Sequence, residues 1–282
     1  NGVTNREDVI YLKNNNYSDA KKSDIEQILP RHIKGLYKYQ INNNSDLNEV
    51  LNMILEGPYQ NKYQISKNKW LPTEISIAYD NTDLKKMDYL LFTTNDKTTC
   101  NKYLNKCSDN KKNSAIYLNN IIKELDTDKL NQNDWIKSLT SDWKNIFYYF
   151  KNDYVIMSHS EKKMKSMINN IQSGQTIGES LALKTIKNKL GKRCHTSFYL
   201  NFQKAKKPWQ SVFNSVVSKN ISSENYFFNS LIFLHENSDF SNRTIWNFNL
   251  KHETNFKPQI VKNHYTNNFE ILTQDLENNI YL

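Results

Sequence analysis

Across residues 33–41 the chain alternates. Ile33, Tyr37, Tyr39 and Ile41 are apolar, and Lys34, Lys38 and Gln40 lie between them. A strand turns successive side chains to opposite faces, so this period of two predicts a strand with one face in the core and one in water. The pattern returns at Ile75, Ile77 and Tyr79, and a partner strand over 87–93 closes a hairpin around Asp80 and Asp83. Further strands are predicted over 116–125, 145–150, 154–158, 195–202, 226–235 and 243–250. The Lys151-Asn152-Asp153 turn joins the second and third of these.

Short amphipathic helices fall between the hairpins. Ser23 caps a turn carrying Ile25, Ile28 and Leu29, which Pro30 ends. Ser45 or Asp46 starts a helix with Leu47, Val50, Leu51 and Ile54 on one face, stopped at Gly57-Pro58. Trp135, Leu139 and Trp143 form an aromatic core stripe. Ser160 caps a helix that buries Met164, Met167, Ile168 and Ile171 and closes at Gly174. A helix over 178–190 and another opening at Pro208, with Trp209, Val212, Phe213, Val216 and Val217, complete the set. Helices inserted between antiparallel hairpins predict an α+β fold of mostly antiparallel sheets with short packing helices. The sequence Leu29-Pro30-Arg31-His32-Ile33 is echoed at Leu71-Pro72-Thr73-Glu74-Ile75, which reads as proline at a strand start rather than as a repeat.

Three segments are expected. Residues 1–22 are a loose, polar N-terminal segment. Residues 23–255 form the α+β domain, with a polar connection over 95–114 marking a break between two subunits. Residues 256–282 read strand, turn, strand, turn, strand, and the last strand has only begun at Leu282. With its abrupt start at Asn1, the chain reads as the middle piece of a larger protein.

A chain of 282 residues with 12% aromatic content has enough apolar surface to build a sizeable core. Its formal charge of +9 is almost all lysine, with arginine only at Arg6, Arg31, Arg193 and Arg243. Arginine is the residue suited to bidentate phosphate and guanine contacts, so no nucleic-acid partner is expected. The dense run from Lys184 to Arg193 alternates lysine with Ile186 and Leu190, the pattern of a solvated helix face.

Motif after motif fails to assemble a chemistry. Ser158-His159-Ser160 sits at a strand-to-helix junction and reads as a capping cluster with an exposed imidazole, because adjacent residues rarely form a nucleophile–base pair. Cys194 and His195 are neighbours in a predicted strand, so their side chains are expected on opposite faces. Gly174-Gln-Thr-Ile-Gly178 lacks the Lys-Ser/Thr ending of a phosphate loop. His32, His235, His252 and His264 have no metal-ligand spacing, and Asp126-Thr-Asp128 lacks the glycine of a calcium loop. The seven-residue step from Cys100 to Cys107 fits no metal motif and leaves a local disulfide and free thiols both open. Phe147-Tyr148-Tyr149 and Tyr226-Phe227-Phe228 lie in predicted strands and read as core. No catalytic, cofactor-binding or metal-binding residue is assigned, and no cofactor.

Two stretches resemble a known family. One runs from Trp143 through Asn152-Asp-Tyr-Val-Ile-Met-Ser-His-Ser160, Gly174-Gln-Thr-Ile177, Thr196-Ser-Phe-Tyr-Leu-Asn201 and Thr244-Ile-Trp-Asn-Phe248. The other is Lys257-Pro-Gln-Ile-Val-Lys-Asn-His264 with Glu270-Ile-Leu-Thr-Gln-Asp275 and Asn278-Asn-Ile-Tyr-Leu282. Together they resemble large envelope proteins of Bacteroidetes-type bacteria, in which an α+β domain of unknown function precedes a quinoprotein-like β-propeller. The resemblance implies that residues 256–282 open a propeller blade. It also implies an extracytoplasmic setting, periplasmic or at the outer membrane, with a membrane or lipid anchor N-terminal to this chain and other envelope proteins as partners. An interaction or scaffold role is the resulting expectation. An enzyme with an unrecognised site and a lysine-mediated binder of an anionic polymer are the alternatives.

Overall fold

The computed structural model describes residues 23–55, 70–80, 86–108, 114–130, 134–180, 183–184, 194–201, 228–238, 241–250, 259–267, 269–274 and 280–281. Ten strands form one antiparallel sheet. They are β1 (Gly35–Gln40), β2 (Pro72–Tyr79), β3 (Tyr89–Thr94), β4 (Ser114–Tyr117), β5 (Asn120–Leu125), β6 (Ile146–Lys151), β7 (Tyr154–Ser158), β8 (Thr196–Asn201), β9 (Phe228–Ser238) and β10 (Ser241–Leu250). Their spatial order is β10-β9-β8-β1-β2-β3-β7-β6-β5-β4. Strands from both sides of residues 95–114 therefore lie in the same sheet.

Helices cover both faces. Leu47, Val50 and Leu51 of α1 (Asn44–Ile54), Cys100, Leu104 and Cys107 of α2 (Lys97–Cys107), and Trp135, Ile136 and Leu139 of α3 (Trp135–Leu139) pack on Ile75, Ile77, Leu90, Phe92, Val155 and Met157. On the opposite face, Met164, Met167 and Ile168 of α4 (Glu161–Gln172) pack on Tyr89, Leu91, Tyr149 and Ile156. The short 3-10 turns Ile25–Gln27 and Ile177–Glu179 join them there. Burial on both sides is why the central strands read as continuous apolar runs, Leu90-Leu91-Phe92 and Val155-Ile156-Met157.

The α+β class and the antiparallel pairing agree with the sequence reading, and five local expectations need correction. The polar connection over 95–114 contains α2, whose cap is Asp96 accepting from Thr99 N at 2.9 Å. Two of its three buried residues are cysteines, which a search for aliphatic periodicity passes over. The single strand over 116–125 is a hairpin, folded at Leu118 and Asn119, both with positive φ (46° and 61°). Such a two-residue turn is usually signalled by Asn-Gly, and placing Leu118 there costs about 1–2 kcal/mol. The cap of α1 is Asn43, which accepts from Asp46 N, rather than Ser45 or Asp46. Helix α3 ends at Leu139, so Trp143 reaches the core from beyond it. Finally, β1 is not half-buried: Lys38 and Gln40, expected in water, are buried. The Pro208 helix, most of the helix over 178–190 and the Gly57-Pro58 stop lie outside the described residues.

Strands β11 (Gln259–Lys262), β12 (Phe269–Gln274) and β13 (Ile280–Tyr281) form a separate three-stranded antiparallel sheet. Tyr265 in its turn is fully exposed and Ile280 is exposed. None of the side chains described in this sheet is buried, which implies a low local opening energy. Amides of Gln259–Lys262 and Phe269–Gln274 are expected to exchange with solvent well before those of β2, β3 and β7. Equal protection in a hydrogen-exchange experiment would place this small sheet in the same cooperative core.

Candidate functional site

One end of the sheet gathers charge because antiparallel neighbours begin and end together. Asp80 follows β2, Asp88 precedes β3, His159 follows β7, Lys163 stands in the first turn of α4, and His32 lies just before β1. Lys163 Nζ reaches Asp88 Oδ1 at 2.8 Å and Asp80 Oδ2 at 3.1 Å. His32 Nε2 lies 3.5 Å from Asp80 Oδ1, and His159 Nε2 lies 3.4 Å from Asp88 Oδ1. Asp88 is almost wholly buried and also accepts from Asp80 N at 2.8 Å. His159 stands edge-on to Trp143, whose indole N–H donates to the Met87 carbonyl at 3.2 Å. An imidazole oriented by a buried carboxylate is one half of a general-base arrangement. The other half is missing among the described residues, where the one hydrogen bond of His159 is to Asp88. The cluster therefore acts as a clasp between strand ends and α4. Partial burial would raise the Asp80 carboxyl, but His32 and Lys163 outweigh it and hold it down at about 2.

A second polar group lies inside the molecule. Lys38 on β1 is 1% exposed. It sits opposite Ser76 on β2 and Ser197 on β8, and these three polar side chains share the α4 face of the sheet. Glu26, in the 3-10 turn over that face, and Glu74 on β2 supply negative charge, and the Cys194 thiol hydrogen-bonds to the ammonium. Burial by itself would lower the Lys38 pKa; Glu26, Cys194 and Glu74 more than reverse this, so Lys38 stays charged. Glu74 accepts from Ser76 Oγ at 3.3 Å and from the Tyr154 hydroxyl at 3.2 Å, and that hydroxyl in turn lies 3.2 Å from Ser23 Oγ. Burial pushes the Glu74 carboxyl up, with Lys38, Ser23 and Tyr154 recovering only part of the cost. One cation thus faces two carboxylates, and burial makes Glu74 readier to take a proton than an ordinary glutamate.

The residues singled out from sequence fall as follows. Cys194 and His195 lie just before β8 rather than inside it, both buried, and Cys194 serves the Lys38 group. Ser160 occupies the cap position of α4 without a capping hydrogen bond from its side chain. Gly174 closes α4 with φ at 67°, and Gly178 lets the two 3-10 turns approach, since a Cβ there would lie 2.7 Å from Gln27 Nε2. Cys100, Cys107 and Cys194 are free thiols. Burial pushes Cys100 up to about 12 and raises Cys107 as well, which makes both poor nucleophiles. Asp126 closes its own turn by accepting from Asp128 N and pairs with Lys129. Tyr148 and Tyr149 are core and Phe147 is half-buried; Tyr226, Phe227 and His252 lie outside the described residues, as do the side chains of Phe228 and His235. His264 is exposed. Among the described residues no group of three or more His, Cys, Asp or Glu is placed to hold a metal ion. No helix there is long and apolar enough to cross a membrane.

The last feature is apolar. Strand β4 ends the sheet, and its hairpin with β5 carries Ile116 at 79% exposure, with Ile121 and Leu118 also exposed. Ile116 and Ile121 are directly paired across the hairpin, on the α1–α3 face. Because 116–125 reads as one strand, the sequence hides this pairing. Lys38 is hidden as well, since its flanking tyrosines mark it as the outward residue. The charged clasp left a weak signal, a polar residue at each strand end.

No family model, curated protein or solved structure matches the chain.

Three variants test the two charged groups. Lys38→Ala strands two buried carboxylates and is expected to destabilise the fold by about 3–5 kcal/mol in denaturant titrations. Glu74 binds its proton more tightly folded than unfolded, so it favours the fold below its ordinary pKa of 4.5 and costs stability as pH rises through the raised value. Glu74→Gln is expected to remove that decline. Asp80 has the opposite sign. Its folded value of about 2 lies below the ordinary 3.8, so its contribution is full above 3.8 and disappears as pH falls through 2. After solvent screening this is about 1 kcal/mol, and Asp80→Asn is expected to flatten stability across that window.

Proposed function

We propose that this chain is a non-catalytic interaction module of a bacterial cell-envelope protein. The observation that carries the reading is the sheet edge at β4, where Ile116, Leu118 and Ile121 are exposed on a hairpin whose outer strand pairs with β5 and has no second neighbour among the described residues. Exposed edge strands invite pairing with another chain and are usually blunted by charge, proline or a covering element. The residues of β4 are Ser114, Ala115, Ile116 and Tyr117, and none of them blunts it. The envelope setting and the other envelope proteins as partners rest on the family resemblance. That resemblance also makes the separate β11-β12-β13 sheet the opening strands of a propeller blade; its detachment from the large sheet supports this reading.

A hydrolytic reading has one observation in its favour, the buried Asp88 orienting His159. Against it, Lys163 already neutralises Asp88, and no described hydroxyl or thiol is hydrogen-bonded to the imidazole.

The test is photo-cross-linking of the full-length protein in its host. A photoreactive phenylalanine analogue in place of Ile116 is expected to give discrete protein adducts, and the same analogue at exposed Lys102 on α2 is not. Equal labelling at the two positions, or none at Ile116, would remove the interaction reading.

A further inference from the structure

We infer that the outer edge of β4 takes an extended peptide strand in which apolar residues alternate with acidic ones, contributed by a partner protein. This rests on the interaction reading above and names the chemistry of the occupant.

The backbone sets the register. Tyr117 and Asn120 flank the two-residue turn at Leu118 and Asn119, which makes them a hydrogen-bonded pair; Ala115 with Ile122 is the next. The intervening residues, Ser114 and Ile116, therefore direct their N–H and C=O groups away from β5 and into the open edge. A strand laid there gains ladder hydrogen bonds at these two residues, the mode by which extended peptides add to sheet edges.

The side chains set the alternation. On the α1–α3 face, a residue opposite Ile116 meets Ile116 and Ile121 and completes a small apolar cluster. On the α4 face, its neighbour comes to lie beside Tyr117. There the Lys165 ammonium stands 5.6 Å from the Tyr117 ring centroid and Asn169 Oδ1 accepts from the Tyr117 hydroxyl at 3.0 Å. Lys165 also holds Glu161 at 2.7 Å, an exposed pair that an incoming carboxylate is able to share. The chain's formal charge of +9 favours the same sign of partner.

A second copy of the chain fits less well. Pairing two β4 edges would join four residues of strand and three apolar side chains per copy. Stable specific interfaces bury about 1,200–2,000 Å². A peptide strand makes the same ladder hydrogen bonds without a second folded domain having to be seated beside the edge.

The experiment titrates the whole chain with a short peptide alternating Glu and Ile, and with a matched peptide alternating Lys and Ile, followed by backbone amide NMR. The acidic peptide is expected to bind about five-fold more tightly, the factor of one exposed ion pair. Its shifts are expected to concentrate in Ser114–Tyr117, and Lys165→Glu to cancel the preference. Ile116→Lys, at an exposed position where folding is unaffected, is expected to weaken both peptides. Equal affinities, no binding, or shifts centred elsewhere overturn the inference. If cross-linking at Ile116 succeeds while the peptides fail, only the acidic-strand chemistry falls and the interaction reading stands. Concentration-dependent dimerisation abolished by Ile116→Lys would name a second copy as the occupant instead.

Discussion

Lys38 is the point on which the N-terminal half of the sheet closes. It sits on β1 with Glu74 on the next strand, Glu26 in the turn that covers the sheet, and Cys194 just before β8. Residues far apart in sequence thus share one buried charge. Taking a lysine and two carboxylates out of water costs several kcal/mol per ion, and only mutual pairing with further hydrogen bonds recovers it. Ser76, Tyr154 and Ser23 provide those bonds around Glu74. The group is strict about geometry in a way that an apolar patch is not. A one-residue slip of β1 against β2 would send Lys38 to the opposite face, among Ile75, Ile77 and Phe92, with no carboxylate near it. The group therefore specifies register even where a set of aliphatic residues would give more stability.

The second constraint is coverage. Lys38 and its partners are held out of water because the face of the sheet that carries them is covered, and the opposite face is covered too. Helices α1, α2 and α3 close one face, and α4 with the two 3-10 turns closes the other. At the open end of the sheet, the clasp of Asp80, Asp88, Lys163, His32 and His159 ties α4 and the segment before β1 to the strand ends. The charges of these two groups are thus engaged with partners inside the domain. This occupation supports the proposed interaction reading: groups already satisfied by internal partners are less free to bind and turn over a substrate.

Much of the architecture was legible because period-two and period-3.6 patterns report burial directly. The Tyr154–Ser158 strand, the Met164, Met167 and Ile168 face of α4, and the Gly174 terminator all follow from local sequence. What escaped was local structure without a local signal. Helix α2 buries only Cys100, Leu104 and Cys107 among lysines, asparagines and threonines. The turn at Leu118-Asn119 carries no glycine, so the hairpin read as one strand. Lys38 escaped for a different reason. Alternation says which residues share a face, and it cannot say that the second face is covered too. That fact depends on Glu26, Glu74 and α4, which are remote in sequence.

An antiparallel sheet whose two faces are covered retains open hydrogen-bonding capacity only at its outermost strands. Met53, Leu55, Tyr265 and Ile280 are exposed elsewhere on the chain, and the β4 edge differs from them in gathering its apolar side chains on one hairpin. Of the large apolar side chains exposed among the described residues, Ile116, Leu118 and Ile121 fall within a single hairpin. The two isoleucines are directly paired, so they present one surface rather than scattered exposure. The left-handed conformation of Leu118 adds a cost that a glycine would spare. A strained turn that holds two isoleucines in water is unfavourable for the isolated domain on both counts. Covering that edge with another strand relieves the apolar exposure and supplies the missing ladder hydrogen bonds in one step, so the domain gains most where its fold alone is weakest.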